Sequence, residues 1–224
     1  MAINTEKYRE LINELKDRAT LVAVSKTKPV EDIKALYELG QRDFGENYVQ
    51  ELTDKQPQLP TDIRWHFIGH LQSNKVKYIA PFVHLIHGVD SLKLLQEINK
   101  QAAKNNRVID CLLQVHIAKE ETKFGMDETE LKEAGSLLTN SAMNNVRVVG
   151  LMGMASFSED MNLVRSEFRY LKSLYNKFNQ SSANHYTLQT LSMGMSGDYK
   201  IAVEEGSNMV RIGSLIFGER NYTK

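Results

Sequence analysis

LVAVSKTKPVEDIKALYELG, residues 21–40, contains a whole strand-to-helix unit. LVAV is an unbroken apolar run, the pattern of a strand buried on both faces. In EDIKALYELG, residues Ile33, Leu36 and Tyr37 share one helical face and Gly40 supplies the stop. Between strand and helix lie Ser25, Lys26, Thr27, Lys28 and Pro29. Small polar turn residues are the usual connection. Two lysines two positions apart at the end of a buried strand call for another explanation.

The same unit recurs along the chain. DFGE reads as a strand and NYVQELTDK as a short helix; IRWHFIGH is the next strand and QSNKVKYIA the next helix. FVHLIHGV leads into SLKLLQEINKQAAKNN, with Leu92, Leu95 and Ile98 on one face. VIDCLLQVHI precedes a helix over residues 127–139. VRVVGLMGM precedes a long helix marked by Val164, Phe168, Leu171 and Tyr175. TLQTLSMGM leads to DYKIAVEEG, which Gly206 closes, and NMVRIGSLIFG follows. Ahead of the first strand, Tyr8, Leu11, Ile12 and Leu15 predict a leading helix with Asn4 or Thr5 as its cap.

Repeated βα units imply a parallel sheet. Eight in 224 residues point to a closed (β/α)8 TIM barrel with an extra N-terminal helix. An open doubly wound sheet is the competing α/β arrangement. It calls for a glycine-rich dinucleotide loop after the first strand, and SKTKP is not one. No linker or low-complexity segment breaks the pattern, so the chain reads as a single domain, residues 1–224.

Composition narrows the function classes. Lys+Arg and Asp+Glu are both 28, so net charge does not steer the chain to nucleic acid or an anionic membrane. Cys111 is the only cysteine, which excludes an internal disulfide and a thiolate metal cluster. The first twenty residues carry charges throughout, unlike a signal peptide. No apolar run has the length of a membrane span. The expected location is the cytoplasm.

In a barrel of this kind the chemistry lies at the C-terminal strand ends. Lys26 falls there. A lysine amine attacks a carbonyl when neutral, and a second cation and partial burial favour that form. The bland alternative is a pair of solvated lysines ahead of a helix. Asn47 in GENY is placed to bond a ligand or simply to turn the chain. His66 and His70 share a face but lie roughly 13 Å apart along an extended strand, too far to share a metal; His66 is placed near the barrel mouth. Met154 in LMGMA suits packing on a flat ring, or ordinary core. Lys123 in EETKFG is a loop cation able to meet an anion. LSMGMSGD (191–198) and RIGSLIFG (211–218) place Ser192, Ser196, Gly213 and Ser214 after the last two strands. Small residues there let backbone N–H groups approach an anion, and barrels often bind phosphate with these two loops. A lysine facing a phosphate cup suggests pyridoxal phosphate or a phosphosugar carbonyl as the ligand.

LVAVSKTKP, FGENYVQE, WHFIGHLQSNK, GLMGM, LSMGMSGD and MVRIGSLIFGER, in that order, resemble the pyridoxal-phosphate homeostasis proteins. The resemblance runs from about residue 20 onward and is faintest over residues 91–145. It implies a fold-type III barrel like the N-terminal domain of alanine racemase, with pyridoxal 5'-phosphate as cofactor. It implies an internal aldimine on Lys26, Asn47 beside the ring, and Arg211 facing the pyridine nitrogen. Ser192, Ser196, Gly213 and Ser214 would form the phosphate cup, with Met154 and His66 lining the ring. Lys123 matches a lysine linked to cofactor transfer.

Two departures from a racemase follow. The sequence shows no C-terminal β-domain to supply a second acid/base tyrosine, which also favours a monomer. An arginine at the pyridine nitrogen, always cationic, leaves that nitrogen unprotonated and makes the ring a poorer electron sink. The expected function is therefore a non-enzymatic carrier that holds pyridoxal phosphate on Lys26 and delivers it to apo-enzymes, with Lys28 or Lys123 as candidate release groups. An amino-acid racemase, a Schiff-base aldolase and a binding module without cofactor are the competing readings.

Overall fold

A computed structural model describes residues 3–120, 124–138, 143–180 and 187–218 of the chain. Eight parallel strands close into a barrel in sequence order, with the last pairing to the first. They are β1 Thr20–Val24, β2 Asp43–Glu46, β3 Arg64–Phe67, β4 Leu85–Val89, β5 Ile109–Gln114, β6 Val146–Met152, β7 Thr190–Ser192 and β8 Met209–Ile212. Helix α1, Thr5–Leu15, precedes them. The strands are followed in turn by α2 Val30–Glu38, α3 Val49–Lys55, α4 Val76–Ile79, α5 Leu92–Lys104, α6 Glu128–Leu138, α7 Met161–Gln180, α8 Tyr199–Glu204 and α9 Ser214–Phe217. The open-sheet alternative is thereby excluded.

The alternation of each strand builds two layers. Leu21 and Ala23 of β1 face outward into the large core shared with the helices, along with Trp65, Phe67, Ile86 and Leu113. From the helices come Ile33, Leu36, Leu95, Phe168 and Leu171, all fully buried. Each such side chain contributes roughly 1.5–3 kcal/mol by leaving water. The intervening residues Val22, Leu85, Leu112, Met152 and Met209 form a separate small cluster inside the barrel. Polar side chains are buried as well: His66, His87, Gln114, Ser192 and Arg211.

Local chemistry sets the element ends. Asn4 caps α1 by accepting from the Lys7 backbone N–H at 3.0 Å, and Ser91 caps α5 through Leu94. Two strands are shorter than their apolar runs suggest. β3 stops at Phe67 because the chain then passes the loop after β2; a Cβ on Gly69 would lie 2.3 Å from the Asn47 carbonyl oxygen. β7 stops at Ser192 because Gly194, at φ +96°, turns the chain away. The QSNKVKYIA segment opens as a 3-10 turn, Ser73–Lys75, before α4. No helix among the described residues is long and apolar enough to cross a membrane.

Candidate functional site

The loop after β1 is fastened from below. Ser25 donates to Glu46 Oε1 at 2.6 Å. The Lys55 ammonium, buried on α3, donates to the Ser25 carbonyl (2.9 Å), to Glu46 Oε1 (2.8 Å) and to Glu51 Oε1 (2.6 Å). Glu51 also accepts from the Thr27 backbone N–H at 2.6 Å. Thr27 sits at φ +64°, a left-handed conformation that a β-branched residue rarely adopts. Burial pushes the Glu46 carboxyl above its ordinary pKa, with Lys55 as the main opposing influence. A strained turn held by three charged side chains thus presents Lys26 and Lys28 at the C-terminal mouth of the barrel.

Lys26 and Lys28 line a cavity of about 490 Å³, within the roughly 300–1,000 Å³ range of small-molecule sites. Asn47 enters it from the loop after β2, Met154 from the loop after β6, and Ser196, Gly197 and Asp198 from the loop after β7. Arg211, Gly213 and Ser214 complete it from β8 and its loop. Val24 and Ile68 supply apolar wall, and Phe157 and Met195 stand at the rim. Three cationic side chains against one carboxylate make the lining suited to an anion.

Two of the residues expected at the ligand do not reach the cavity lining. Neither His66 nor Ser192 is among the lining residues; both are buried inside the barrel. The physical reason is occupancy of their polar atoms by neighbours. Ser192 Oγ accepts from Arg211 Nη1 at 2.6 Å and meets His87 Nδ1 at 3.2 Å. His66 lies between His87 (2.9 Å) and Asp43 (2.9 Å). Lys28, a candidate release group, lines the cavity and donates to the carbonyls of Phe217 and Gly218 at the end of α9. Lys123 lies outside the described residues.

Arg211 links the cavity to this interior. Its Nη2 donates to the Gly153 carbonyl at 3.1 Å. Burial brings its pKa down to about 10, with the Asp198 carboxylate opposing, so it remains cationic at neutral pH. Just after β8, which pairs with β1, Gly213 lies beside Val24, caps α9 and accepts from the Ile216 and Phe217 N–H groups. The first N–H groups of a helix have no acceptor within it. On the facing loop, a Cβ on Gly197 would meet nothing within 4 Å, which leaves open space beside Ser196. The cavity therefore offers an amine, a guanidinium on its wall, and small residues with backbone and hydroxyl donors. This donor set fits a molecule that carries both an aldehyde and a phosphate.

Sequence reasoning missed the Lys55–Glu46–Glu51 clamp and the role of His87. Glu51 and Lys55 stand four apart on a helix, a spacing that ordinarily marks a surface ion pair; its burial depends on how α3 packs.

Residues 2–221 match the family model described as alanine racemase, N-terminal domain. A pyridoxal phosphate homeostasis protein of Aquifex aeolicus is 44% identical over 205 residues, spanning 91% of this chain and 88% of the relative. The structure of PipY of Synechococcus elongatus with PLP bound superposes with a TM-score of 0.87 at 34% identity, covering 95% of this chain and 99% of that one. An alanine racemase of Clostridium difficile shares the fold, with a TM-score of 0.77 at 14% identity, covering 99% of this chain and 59% of the racemase.

Proposed function

The chain belongs to the pyridoxal phosphate homeostasis proteins, built on the alanine racemase N-terminal barrel, and from that premise we propose that it binds pyridoxal 5'-phosphate as a single domain and holds it as a Schiff base on Lys26. The observation that carries this reading is that Lys26 and the small-residue cup of Ser196, Gly213 and Ser214 line one cavity with Arg211. When bound, the cofactor supplies an aldehyde and an electron-poor ring.

Each lining residue takes a role from its chemistry. Lys26 Nζ is the nucleophile. Ser196, Gly197, Gly213 and Ser214 receive the phosphate through hydroxyl and backbone donors. Met154 packs on the ring face. Arg211 offers a fixed positive donor to the ring nitrogen and keeps it unprotonated. Asn47, reaching in from the loop after β2, bonds the ring's polar substituent.

The reading makes the protein a carrier rather than a catalyst. Amino-acid turnover needs a second positioned acid or base and an electron sink at the ring nitrogen. Among the described residues the lining contains no tyrosine or histidine, and Arg211 weakens the sink. The carrier shields the aldehyde as a monomer in the cytoplasm and passes it to apo-enzymes.

Addition of pyridoxal 5'-phosphate to the purified protein, followed by borohydride reduction and peptide mapping, tests the assignment. A new visible absorption band and a label on Lys26, both lost in Lys26→Ala, are the expected results. An unchanged spectrum, or a label on another lysine, overturns it. Alanine enantiomers interconverted at ~1 s⁻¹ or faster would make the protein a racemase.

A further inference from the structure

A continuous line of hydrogen bonds runs through the barrel from one mouth to the other. At the N-terminal mouth Arg64 Nε donates to Asp43 Oδ1 at 2.7 Å. Asp43 Oδ1 meets His66 Nε2 at 2.9 Å, and His66 Nδ1 meets His87 Nε2 at 2.9 Å. His87 Nδ1 meets Ser192 Oγ at 3.2 Å, and Ser192 Oγ accepts from Arg211 Nη1 at 2.6 Å. Arg211 lines the cavity at the other mouth.

The chemistry of the two ends fixes every proton between them. A guanidinium only donates, so Ser192 Oγ accepts there. The Ser192 hydroxyl proton then goes to His87 Nδ1. A neutral imidazole has one donor and one acceptor, so His87 carries its proton on Nε2 and donates to His66 Nδ1. His66 in turn donates from Nε2 to the Asp43 carboxylate, which only accepts. The line is one-way, and burial holds His87 neutral by pushing its pKa well below the ordinary range.

We propose that Ser192, His87, His66 and Asp43 are positioning residues that hold Arg211 in the cavity: with its hydroxyl proton committed to His87 Nδ1, Ser192 Oγ presents a lone pair to the Arg211 guanidinium. The proposal deepens the cofactor-binding reading and rests on it.

The His84 ring centroid is 5.5 Å from that of His66. His84 is exposed and lines a second cavity of about 440 Å³, with Asp110 and Arg147, which brings solvent to within one ring of the line.

Nitrogen-15 NMR of the histidine rings in the ligand-free protein tests the line without any cofactor. At pH 8 both His66 and His87 should be Nε2–H tautomers. An Nδ1–H tautomer of His87 at pH 8 overturns the proposal. The functional arm is a pyridoxal 5'-phosphate titration at pH 8 of the wild type and of Ser192→Ala. Affinity should fall about tenfold in Ser192→Ala, the loss of one charged hydrogen bond, while the borohydride label stays on Lys26. Equal affinities of the two proteins would refute the hold on Arg211. Absence of binding in the wild type with the expected tautomers in place would instead reject the cofactor reading and leave the line standing.

Discussion

Lys28 Nζ donates to the Phe217 carbonyl at 2.8 Å, which ties the loop after β1 to the last turn of α9. The two walls of the cavity are therefore one mechanical unit. A cation at the C-terminal end of a helix also meets the negative end of its dipole. Lys28→Met should cost about 1 kcal/mol in urea denaturation. It should weaken pyridoxal 5'-phosphate binding severalfold while the label stays on Lys26. A variant that abolishes labelling would show that Lys28 does more than brace the cup.

Lys55 lies buried between Glu46 and Glu51. Lys55→Met leaves Glu46 as a buried charge without its partner, a loss of about 3–5 kcal/mol. The double variant Lys55→Met, Glu46→Gln should recover part of it. Chemical denaturation of the three proteins measures both steps, and a single-variant loss under about 1 kcal/mol would place this pair with ordinary surface ion pairs.

Burial raises the Asp43 carboxyl, but hydrogen bonds from His66 and Arg64 outweigh it and hold the pKa at about 2, against an ordinary 3.8. A folded pKa below the unfolded one gives stability that is complete above the unfolded value and lost as pH falls through the folded one. About 2 kcal/mol should thus disappear between about pH 4 and pH 2. Asp43→Asn should be less stable at pH 6 and lack that acid-dependent loss. Equal slopes for the two proteins over this window would contradict the assignment.

Thr27 at φ +64° stores strain beside Lys26. Asn tolerates this conformation far better than a β-branched residue, so Thr27→Asn should raise stability by about 1 kcal/mol. The backbone N–H bonded to Glu51 is retained, so binding should change little. A lower melting temperature would mean that the threonine side chain contributes packing beyond the turn itself.

Two glycines separate fold from site. A Cβ on Gly150 would lie 1.9 Å from the Thr190 carbonyl oxygen, where β6 and β7 pair; a Cβ on Gly197 would meet nothing within 4 Å. Gly150→Ala should therefore destabilise the barrel by several kcal/mol, on the order of 3. Gly197→Ala should melt like the wild type yet bind pyridoxal 5'-phosphate more weakly, because the added methyl occupies the phosphate end. Calorimetry with and without ligand distinguishes them, and unchanged affinity in Gly197→Ala would remove that loop from the cup.

The barrel was legible because each strand is a local apolar run and each helix carries its own face and stop, as Leu21–Val24 and Ile33–Gly40 do. The cavity lining was legible for residues at strand ends with small or cationic neighbours: Lys26, Asn47, Ser196, Arg211, Gly213 and Ser214. His66 and Ser192 sit at strand ends by the same count, yet their polar atoms are used by side chains from other strands. Which groups meet across a barrel interior depends on register, and the register shifts between Ile86 and Val89 and between Cys111 and Leu112 leave no mark in the spacing. The bonds of Lys28 were illegible for a related reason: its partner carbonyls are almost two hundred positions away.

The pairing of β8 with β1 has a consequence for biosynthesis. Lys26 follows the first strand to leave the ribosome, whereas Arg211 and the Gly213–Ser214 turn belong to the last. A nascent polypeptide carries Lys26 long before the adjoining strand exists. On the proposed function, capture of the vitamin-derived aldehyde waits until translation of the final strand seals the ring.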